Sequence, residues 1–438
     1  MSTSNPSTDV QVSGKDAGRI AMAAFVGTAL EWYDYYLFGT AAALVFNRLY
    51  FTALDSSTAL LASFATFGVG FAARPIGAAV FGMIGDRYGR RPALLMTIVM
   101  IGVATGLIGI LPDYGVWGLG APIALVILRL VQGLAVGGEW GGATTIAIEH
   151  APLEKRARYA ALVQVGSPVA TLISSAAFAL VLLLPPETFD AWGWRIPFLL
   201  AFPFLGIALY IRMKVEESPI FKDIVASETR TKVPALEVFS KAGGRLFVAF
   251  LAALLGVGGF YMITTFVVSY GANTLGVDRG VMVRATLVAA AAQIVITLVM
   301  GRLAEKVGPG PVTVAGGLLT AVAAFPLFMM IDTRSPVMIT LAITIGIVLI
   351  AVAYAVNGAL LAELFPPHLR YSGVAMGYNL AGATSGFMPL LATAMLGFSN
   401  NSSWGAALIL AIIAVLTAVG GWFGGRLRVE DKAIVVDN

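Results

Sequence analysis

Long apolar runs separated by short polar turns dominate the chain. Within each run the apolar residues are continuous and do not alternate with polar ones. A helix of roughly 20 apolar residues crosses the hydrocarbon core of a bilayer, and its backbone hydrogen bonds are satisfied internally. The pattern predicts an all-α integral membrane protein with twelve transmembrane helices, at residues 19–46, 58–83, 93–111, 121–145, 159–184, 195–213, 245–272, 281–301, 311–331, 336–361, 372–397 and 403–425.

One long polar segment divides these runs into two sets of six. It reads KVEESPIFKDIVASETRTKVPALEVFSKAGG and indicates a linker with some amphipathic helix. The predicted organisation is an N-terminal tail (1–18), a first six-helix bundle (19–213), a central loop (214–244), a second six-helix bundle (245–425) and a C-terminal tail (426–438).

Composition supports the membrane assignment and excludes several kinds of site. Of the 438 residues, 58% are hydrophobic and 12% are charged, whereas about a quarter are charged in a soluble domain. There is no cysteine, so disulfides and cysteine metal sites are excluded. We find no Ser/His/Asp set, metal cluster or ATP-binding motif, and we expect no enzyme activity, no bound cofactor or metal, and no nucleic-acid partner.

The basic residues predict the topology. If the N-terminus is cytoplasmic, 21 Lys and Arg residues fall in cytoplasmic segments. Only five fall on the opposite side, and two lie within spans, which accounts for all 28. The positive-inside rule therefore predicts that both termini and the central loop are cytoplasmic.

Two short motifs recur between the halves. The loop GMIGDRYGRR (82–91) is echoed by GRLAEKVG (301–308), 219 residues later and again between the second and third spans of its half. A Glu-x-x-Pro-x-x-x-Arg pattern begins at Glu149 and recurs at Glu363, 214 residues on. Nearly equal offsets indicate duplication, and parallel repeats with a substrate site between them are a known transporter plan.

Ionisable residues inside the spans are the first candidates for function, because charge at bilayer depth is costly. The first half contains Glu31, Asp34, Arg74, Arg129 and Glu139. Counting 1.5 Å per helical residue, we expect Asp34 to lie level with Arg129, and Arg74 level with Glu139. Protonation of the acid in such a pair would release its arginine to an anionic substrate.

These positions give two sets of candidates. Asp34, Glu31 and Glu139 are predicted to couple a proton, although Arg74 and Glu139 would also fit a purely structural brace. The second half offers neutral polar groups instead. The predicted substrate-binding residues are Arg129, Arg74, Tyr35, Tyr354, Asn357, Tyr378 and Asn379, with Tyr261 as a further hydrogen-bonding partner.

The loop between the second and third spans is a predicted cytoplasmic gate. An acid there can cap a neighbouring helix, while the arginines contact lipid headgroups or acids of another loop. Topology alone would explain the basic residues but not the acid and the glycines. The predicted gate residues are Gly82, Asp86, Arg87, Gly89, Arg90 and Arg91. By contrast, Gly133, Gly137 and Gly141 recur at a spacing typical of close helix packing.

Several motifs resemble one known family. GMIGDRYGRRP and LRLVQGLAVGGEWGGA are similar to signature sequences of the major facilitator superfamily. EWYDYYLFG, GVGFAARPIG, GGEWGGA, WGWRIPF and EESPIF resemble its metabolite:proton symporter family, which includes shikimate, alpha-ketoglutarate, citrate and proline/betaine carriers. Among the branches of that family, the shikimate carriers resemble this sequence most. The resemblance implies the major facilitator fold. It also implies that the acid of the first helix (Asp34) and the arginine of the fourth (Arg129) are functional residues. Pro309 and Gly310 replace expected arginines, which predicts a weaker clamp in the second half.

The sequence therefore favours a secondary transporter that imports a small, shikimate-like carboxylate with a proton as coupling ion. We expect it in the inner membrane of a bacterium, functioning as a monomer. One alternative is proton-coupled uptake of a zwitterionic osmolyte such as proline or betaine, although the long C-terminal coiled coil of osmosensory members is missing. Another is a membrane sensor on a transporter fold, although no added signalling domain is present.

Overall fold

Twelve helical spans run through the part of the chain that the computed structural model describes, residues 14–88, 90–137, 155–213 and 234–429. The first six spans contain the helices Gly14–Ala41, Ser56–Ala72 with Arg74–Tyr88, Arg90–Ile110, Gly120–Val136, Arg156–Gln164 with Gly166–Val181, and Ala201–Met213. The second six contain Pro234–Leu254, Arg279–Val307, Pro309–Asp332, Pro336–Tyr354 with Asn357–Leu364, Pro367–Ser385 with Met388–Phe398, and Trp404–Arg426.

Within these residues, nine helical segments are long and apolar enough to cross a membrane. The third and fourth spans contain shorter apolar helices, Leu95–Ile110 and Gly120–Val136. The first span is less apolar because it carries Glu31 and Asp34 among several tyrosines. The twelve-helix prediction is confirmed.

The two halves meet along two pairs of spans. The second span packs against the eleventh, and the fifth packs against the eighth. These pairs occupy equivalent places in the two sets of six, as expected for parallel repeats. We call the end of the bundle where the first span begins the inner end, and the end near residue 46 the outer end.

Three helix breaks adjoin the predicted site. The second span is interrupted at Ala73, directly before Arg74 and Pro75. The tenth is interrupted between Tyr354 and Asn357, and the eleventh between its helices Pro367–Ser385 and Met388–Phe398. Broken helices occur at membrane depth where the backbone is buried in protein or lines a site.

The seventh span continues from a helical stretch within the predicted central loop, where the sequence indicated some amphipathic helix. Its helix starts at Pro234, inside the stretch assigned to the central loop, and departs from helical dihedral angles at Ala242 (φ −131°, ψ 25°). Further along, the span contains three π-helical turns, Leu255–Gly259, Met262–Phe266 and Tyr270–Thr274.

Glycines bring the second and fourth spans into backbone contact. A Cβ atom on Gly133 would lie 1.8 Å from the Gly70 carbonyl oxygen, and one on Gly137 would lie 2.0 Å from that of Arg74. Small residues of this kind allow membrane helices to approach closely. The packing role predicted for these two glycines is confirmed, while Gly141 lies outside the described residues.

Gly133→Ala is expected to destabilise the protein, because the added methyl group forces two backbones apart. Overpacking of this kind costs about 1–3 kcal/mol. Gly206→Ala is the matched control, since nothing lies within 4 Å of its Cβ position. Thermal unfolding in detergent should show a lower midpoint for Gly133→Ala only. Equal midpoints for the two variants would contradict the contact.

Candidate functional site

Asp34 lies at the centre of a buried hydrogen-bonded network in the first half. Its Oδ2 is 3.0 Å from Arg129 Nη1, as the sequence predicted, and both side chains are at most 1% exposed. Its Oδ1 accepts hydrogen bonds from Gln132 Nε2 and, at 2.5 Å, from Thr105 Oγ1. Gln132 also contacts Arg129 and Thr105, at 3.2 and 2.9 Å. The carboxylate is thus fixed by three side chains of its own half.

Arg129 is enclosed by aromatic rings from the first and second spans. Its guanidinium carbon lies 4.3 Å from the ring centroid of Phe38, 4.8 Å from Tyr35, and 5.3 and 5.8 Å from Phe67 and Phe71. Cation–π contacts of this kind stabilise a desolvated guanidinium. Phe67 and Phe71 also contact a ring of the second half, so they lie between Arg129 and that half.

Arg74 forms the second buried ion pair, and the acid beside it is Glu31. Arg74 Nη2 is 3.2 Å from Glu31 Oε1, and neither side chain is more than 1% exposed. Arg74 Nε donates to the Tyr35 hydroxyl at 3.0 Å. The structure places Glu31 against Arg74, whereas sequence reasoning paired Arg74 with Glu139, a pairing that the described residues do not test. Glu139 lies outside the described residues, so its coupling role stays a prediction.

Arg74 differs from Arg129 because it borders the second half. A Cβ atom on Gly382, in the eleventh span, would lie 3.3 Å from Arg74 Nη1. That nitrogen makes no hydrogen bond to any described residue. Arg74 also interacts electrostatically with Tyr261 and Tyr378. One unused donor of a buried cation therefore lies at the interface between the halves.

The predicted tyrosines of the second half are buried at this interface. Tyr261 lies 4.9 Å from Phe67 and 5.1 Å from Phe71, between ring centroids, and its hydroxyl has no hydrogen-bond partner among the described residues. Tyr354 packs edge-on against Trp32 at 6.0 Å. Tyr354 and Tyr378 interact with each other and with Glu31. The structure thus brings Tyr35, Tyr261, Tyr354 and Tyr378 around the Glu31–Arg74 pair.

The two predicted asparagines have different surroundings. Asn379 is buried, and its Nδ2 donates to the Gly137 carbonyl oxygen at 3.0 Å, which joins the eleventh span to the fourth. Asn357 follows the break in the tenth span, and neither its amide oxygen nor its amide nitrogen is hydrogen-bonded within the described residues. Asn357 retains hydrogen-bonding capacity for a ligand, whereas the Asn379 contact holds the halves together.

An ion pair joins the halves at the inner end. Arg158 Nη2, at the start of the fifth span, is 2.8 Å from Glu305 Oε2 at the end of the eighth. Glu305 belongs to the second-half echo of the gate loop, where the sequence predicted a weaker clamp. In the first-half loop, Gly89 and the side chains at 86, 87, 90 and 91 lie outside the described residues, and nothing tests Gly82, so the gating role of this loop stays a prediction.

Polar contacts also close the outer end. Asn273 Nδ2 donates to the Ala43 carbonyl oxygen at 2.8 Å. The hydroxyls of Ser175 and Thr286 are 2.9 Å apart. The halves therefore touch on both sides of the ion pairs. Sequence reasoning missed these contacts, as it missed Thr105 and Gln132, because isolated Ser, Thr, Asn and Gln residues in apolar helices give no distinct signal.

Glu305→Gln is expected to open the inner end, because it removes the charge that holds Arg158 across the interface. The Cys-free chain allows a direct measurement. Ala161→Cys introduces a thiol at a residue that is 1% exposed and borders Gly301 of the opposite half. Its labelling by a thiol reagent should accelerate in the Glu305→Gln background.

Arg284→Gln is the matched control for this measurement. Arg284 pairs with Asp278 at 3.7 Å within the second half, and both side chains are exposed. It should leave the labelling rate unchanged. An unchanged rate in the Glu305→Gln background as well would show that the ion pair does not control closure.

The chain is similar in sequence to known membrane transporters. The family model described as Major Facilitator Superfamily matches residues 24–386 and 285–434. The shikimate transporter of Escherichia coli (strain K12) is 36% identical over 414 residues, which cover 92% of this chain and 94% of the relative. The proline/betaine transporter of the same strain is 31% identical over 411 residues, covering 91% and 82%.

A solved structure shares the fold. The crystal structure of a D-xylose-proton symporter superimposes with a TM-score of 0.72 at 19% identity, and the alignment covers 91% of this chain and 97% of that one. The chain belongs to the Major Facilitator Superfamily and, within it, to the metabolite:proton symporter family, and it is a membrane transporter rather than an enzyme.

Proposed function

We propose that this protein imports a small organic acid together with a proton, by alternating access of a site between its two halves. The observation that carries the proposal is the pair of buried acid–arginine contacts, one of which borders the second half. A shikimate-like carboxylate is the substrate class that we favour. The similarity to the shikimate transporter supports this choice.

Arg74 is the residue that we propose to bind the substrate carboxylate. A guanidinium fork binds a carboxylate through two parallel hydrogen bonds, and within the described residues Arg74 Nη1 makes no hydrogen bond. The hydroxyl of Tyr261, which interacts with Arg74, and the amide of Asn357 in the tenth span are buried polar groups that a hydroxylated ring could satisfy. Arg129 was the candidate that the sequence favoured, but aromatic rings lie between it and the second half.

Asp34 is the residue that we propose to carry the coupling proton. Protonation would remove one charge from its pair with Arg129 and weaken the network to Thr105 and Gln132. Loss of a charge from a buried pair changes its energy by several kcal/mol. That change is large enough to bias the equilibrium between outward-open and inward-open states.

A second candidate function is uptake of a zwitterion such as betaine. Aromatic rings near Glu31 favour it, because a quaternary ammonium group binds to aromatic faces. The Trp32 ring centroid lies 6.3 Å from that of Tyr261 and 6.0 Å from that of Tyr354. The similarity to a proline/betaine transporter also supports this candidate.

Uptake by a host that lacks its own carriers separates the candidates. Cells are given labelled shikimate, alpha-ketoglutarate, citrate, proline or glycine betaine, with and without a protonophore. We expect accumulation of shikimate and its loss when the protonophore collapses the gradient. Accumulation of betaine or proline in its place would select the zwitterion function, and accumulation that resists the protonophore would reject proton coupling.

The proposed location is the bacterial inner membrane, with both termini and the central loop in the cytoplasm. Ser227→Cys places a unique thiol in that loop, which lies outside the described residues. We expect an impermeant thiol reagent to leave it unlabelled in intact cells and to label it after lysis. Labelling in intact cells would contradict the topology.

A further inference from the structure

A small cavity lies between the halves, on the outer side of the Glu31–Arg74 pair. Its volume is about 10 Å³, which leaves room for a single water molecule. Seven residues line the cavity, and every one of them carries a hydroxyl group. Four come from the first half, including Tyr36, Thr171 and Ser175, and three come from the second half, Thr264, Thr265 and Thr286. The cavity is therefore polar but not charged.

The cavity lies next to the central site, one step closer to the outer end. Tyr36 borders it and stacks on Trp32, with ring centroids 5.5 Å apart. The Trp32 ring also contacts Tyr261 and Tyr354 of the second half. Along the first and seventh spans, the residues of the cavity follow those of the central site towards the outer end. A molecule that enters between the halves from the outer side therefore passes these hydroxyls first.

The hydroxyls of this cavity offer hydrogen-bond acceptors. Thr171 Oγ1 donates to the Ser167 carbonyl oxygen at 3.1 Å, and Thr264 Oγ1 donates to that of Phe260 at 2.9 Å. A hydroxyl that donates to its own helix keeps its oxygen lone pairs free to accept. Such acceptors match the O–H groups of a polyol, whereas a carboxylate only accepts and finds no cation among the lining residues. The cavity thus complements the hydroxyl groups of a substrate and not its carboxylate.

The seventh span brings two successive threonines to the cavity. Thr264 and Thr265 are buried and belong to the π-helical turn Met262–Phe266, a kind of turn that is rare and frequent at functional sites. Gly39 of the first span lies against Thr265, since a Cβ atom on Gly39 would be 2.7 Å from Thr265 Oγ1. The missing side chain lets the halves close at this point. Because both halves line the cavity, opening of the outer end widens it.

We propose that these hydroxyls form an outer binding site for the hydroxylated ring of the substrate, occupied while the outer end is open and before the carboxylate reaches Arg74. This inference rests on the proposed function, and it names hydroxyl groups, beside the carboxylate, as the feature that the protein selects. Closure of the halves reduces the site to the volume of about one water molecule. A ring does not fit in that volume, so closure drives the substrate on to the central site.

Uptake by reconstituted vesicles tests the outer site with two acids. Shikimate is the labelled substrate, and cyclohex-1-ene-1-carboxylate, which has the same ring and carboxylate but no hydroxyl groups, is the competing inhibitor. The double variant Thr171→Val/Thr264→Val removes two acceptors and keeps the side-chain shape. We expect the shikimate concentration for half-maximal uptake to rise about tenfold, while the inhibition constant of the hydroxyl-free acid stays unchanged.

Thr320→Val is the matched control for the double variant. Its hydroxyl also donates to its own helix, at 2.8 Å to the Gly316 carbonyl oxygen, but it lies in the ninth span. It should leave both values at the wild-type level. The variant Thr171→Ser/Thr264→Ser keeps both hydroxyls and should behave as wild type. If the double valine variant does not reach the membrane, Thr264→Val alone should raise the shikimate value about threefold.

A second measurement compares the two sides of the membrane. Shikimate that is supplied from the inner side reaches Arg74 without passing the cavity, so inside-out vesicles should show the same half-maximal concentration for the valine variant and the wild type. An equal rise on both sides, an equal weakening of both acids, or unchanged uptake would each overturn the inference while the proposed function stands. If wild-type protein transports no shikimate, the proposed substrate class fails and the inference with it.

Discussion

Asp34→Asn is expected to abolish accumulation of substrate driven by a pH gradient, while exchange of substrate across a membrane at equal pH continues. The amide is a permanent stand-in for the protonated acid, since it carries no charge and cannot release a proton. Its oxygen can still accept from Arg129, Thr105 or Gln132, which contact the carboxylate in the native network. Binding and movement of the halves therefore persist, and only the link to the gradient is lost.

Reconstituted vesicles allow both activities to be measured on one preparation. Labelled shikimate is followed with an imposed pH gradient and, separately, as counterflow at equal pH. Asp55→Asn is the matched control, because Asp55 is an exposed N-cap at the outer end and asparagine caps a helix equally well. Gradient-driven accumulation by Asp34→Asn at the wild-type level would show that another acid couples the proton.

Most of the fold and part of the site were predictable from sequence. Apolar run length fixes a membrane helix whatever its partners, so the twelve spans follow from the chain itself. The Asp34–Arg129 pair followed from depth alone, because both residues lie near the same level of the first and fourth spans. A charged residue at membrane depth has few possible partners, since each buried acid needs a basic residue close by.

Counting depth along the helices could not identify Glu31 as the partner of Arg74. Depth counting made Glu139 a suitable partner, but it gives no rotation about the helix axis. The structure turns Glu31 towards Arg74 because Glu31 and Asp34 are three residues apart and lie on neighbouring parts of one face. Rotation and helix breaks depend on packing, which a single sequence does not display.

The contrast between the two arginines also required coordinates. Both are buried, both pair with an acid and both contact Tyr35. They differ in what lies beyond them, since Phe67 and Phe71 separate Arg129 from the second half, whereas Gly382, which has no side chain, lets Arg74 Nη1 lie close to the eleventh span. A glycine at the point of contact is informative only when its neighbour is known.

Arg74→Lys is expected to weaken shikimate binding by more than about tenfold, which corresponds to roughly 1.4 kcal/mol, while the protein still folds. Lysine keeps the positive charge that Glu31 needs, so the buried acid is not left unpaired. It lacks the planar fork, however, and a single ammonium group cannot reproduce the contacts that Arg74 makes with Glu31 and Tyr35 while also presenting a donor to the substrate. The stacking on Tyr35 and Phe71, at 4.3 and 4.4 Å, is lost as well.

Equilibrium binding to purified protein tests this directly, with Arg284→Lys as the matched control on the exposed outer surface. Arg129→Lys gives the decisive comparison, because the same chemical change is made one layer deeper, behind Phe67 and Phe71. If Arg74 binds the carboxylate, Arg129→Lys should impair gradient-driven accumulation more than affinity. If Arg129→Lys weakened binding tenfold and Arg74→Lys did not, the carboxylate site would lie at Arg129, and the aromatic rings between that residue and the second half would have to move aside for substrate to reach it.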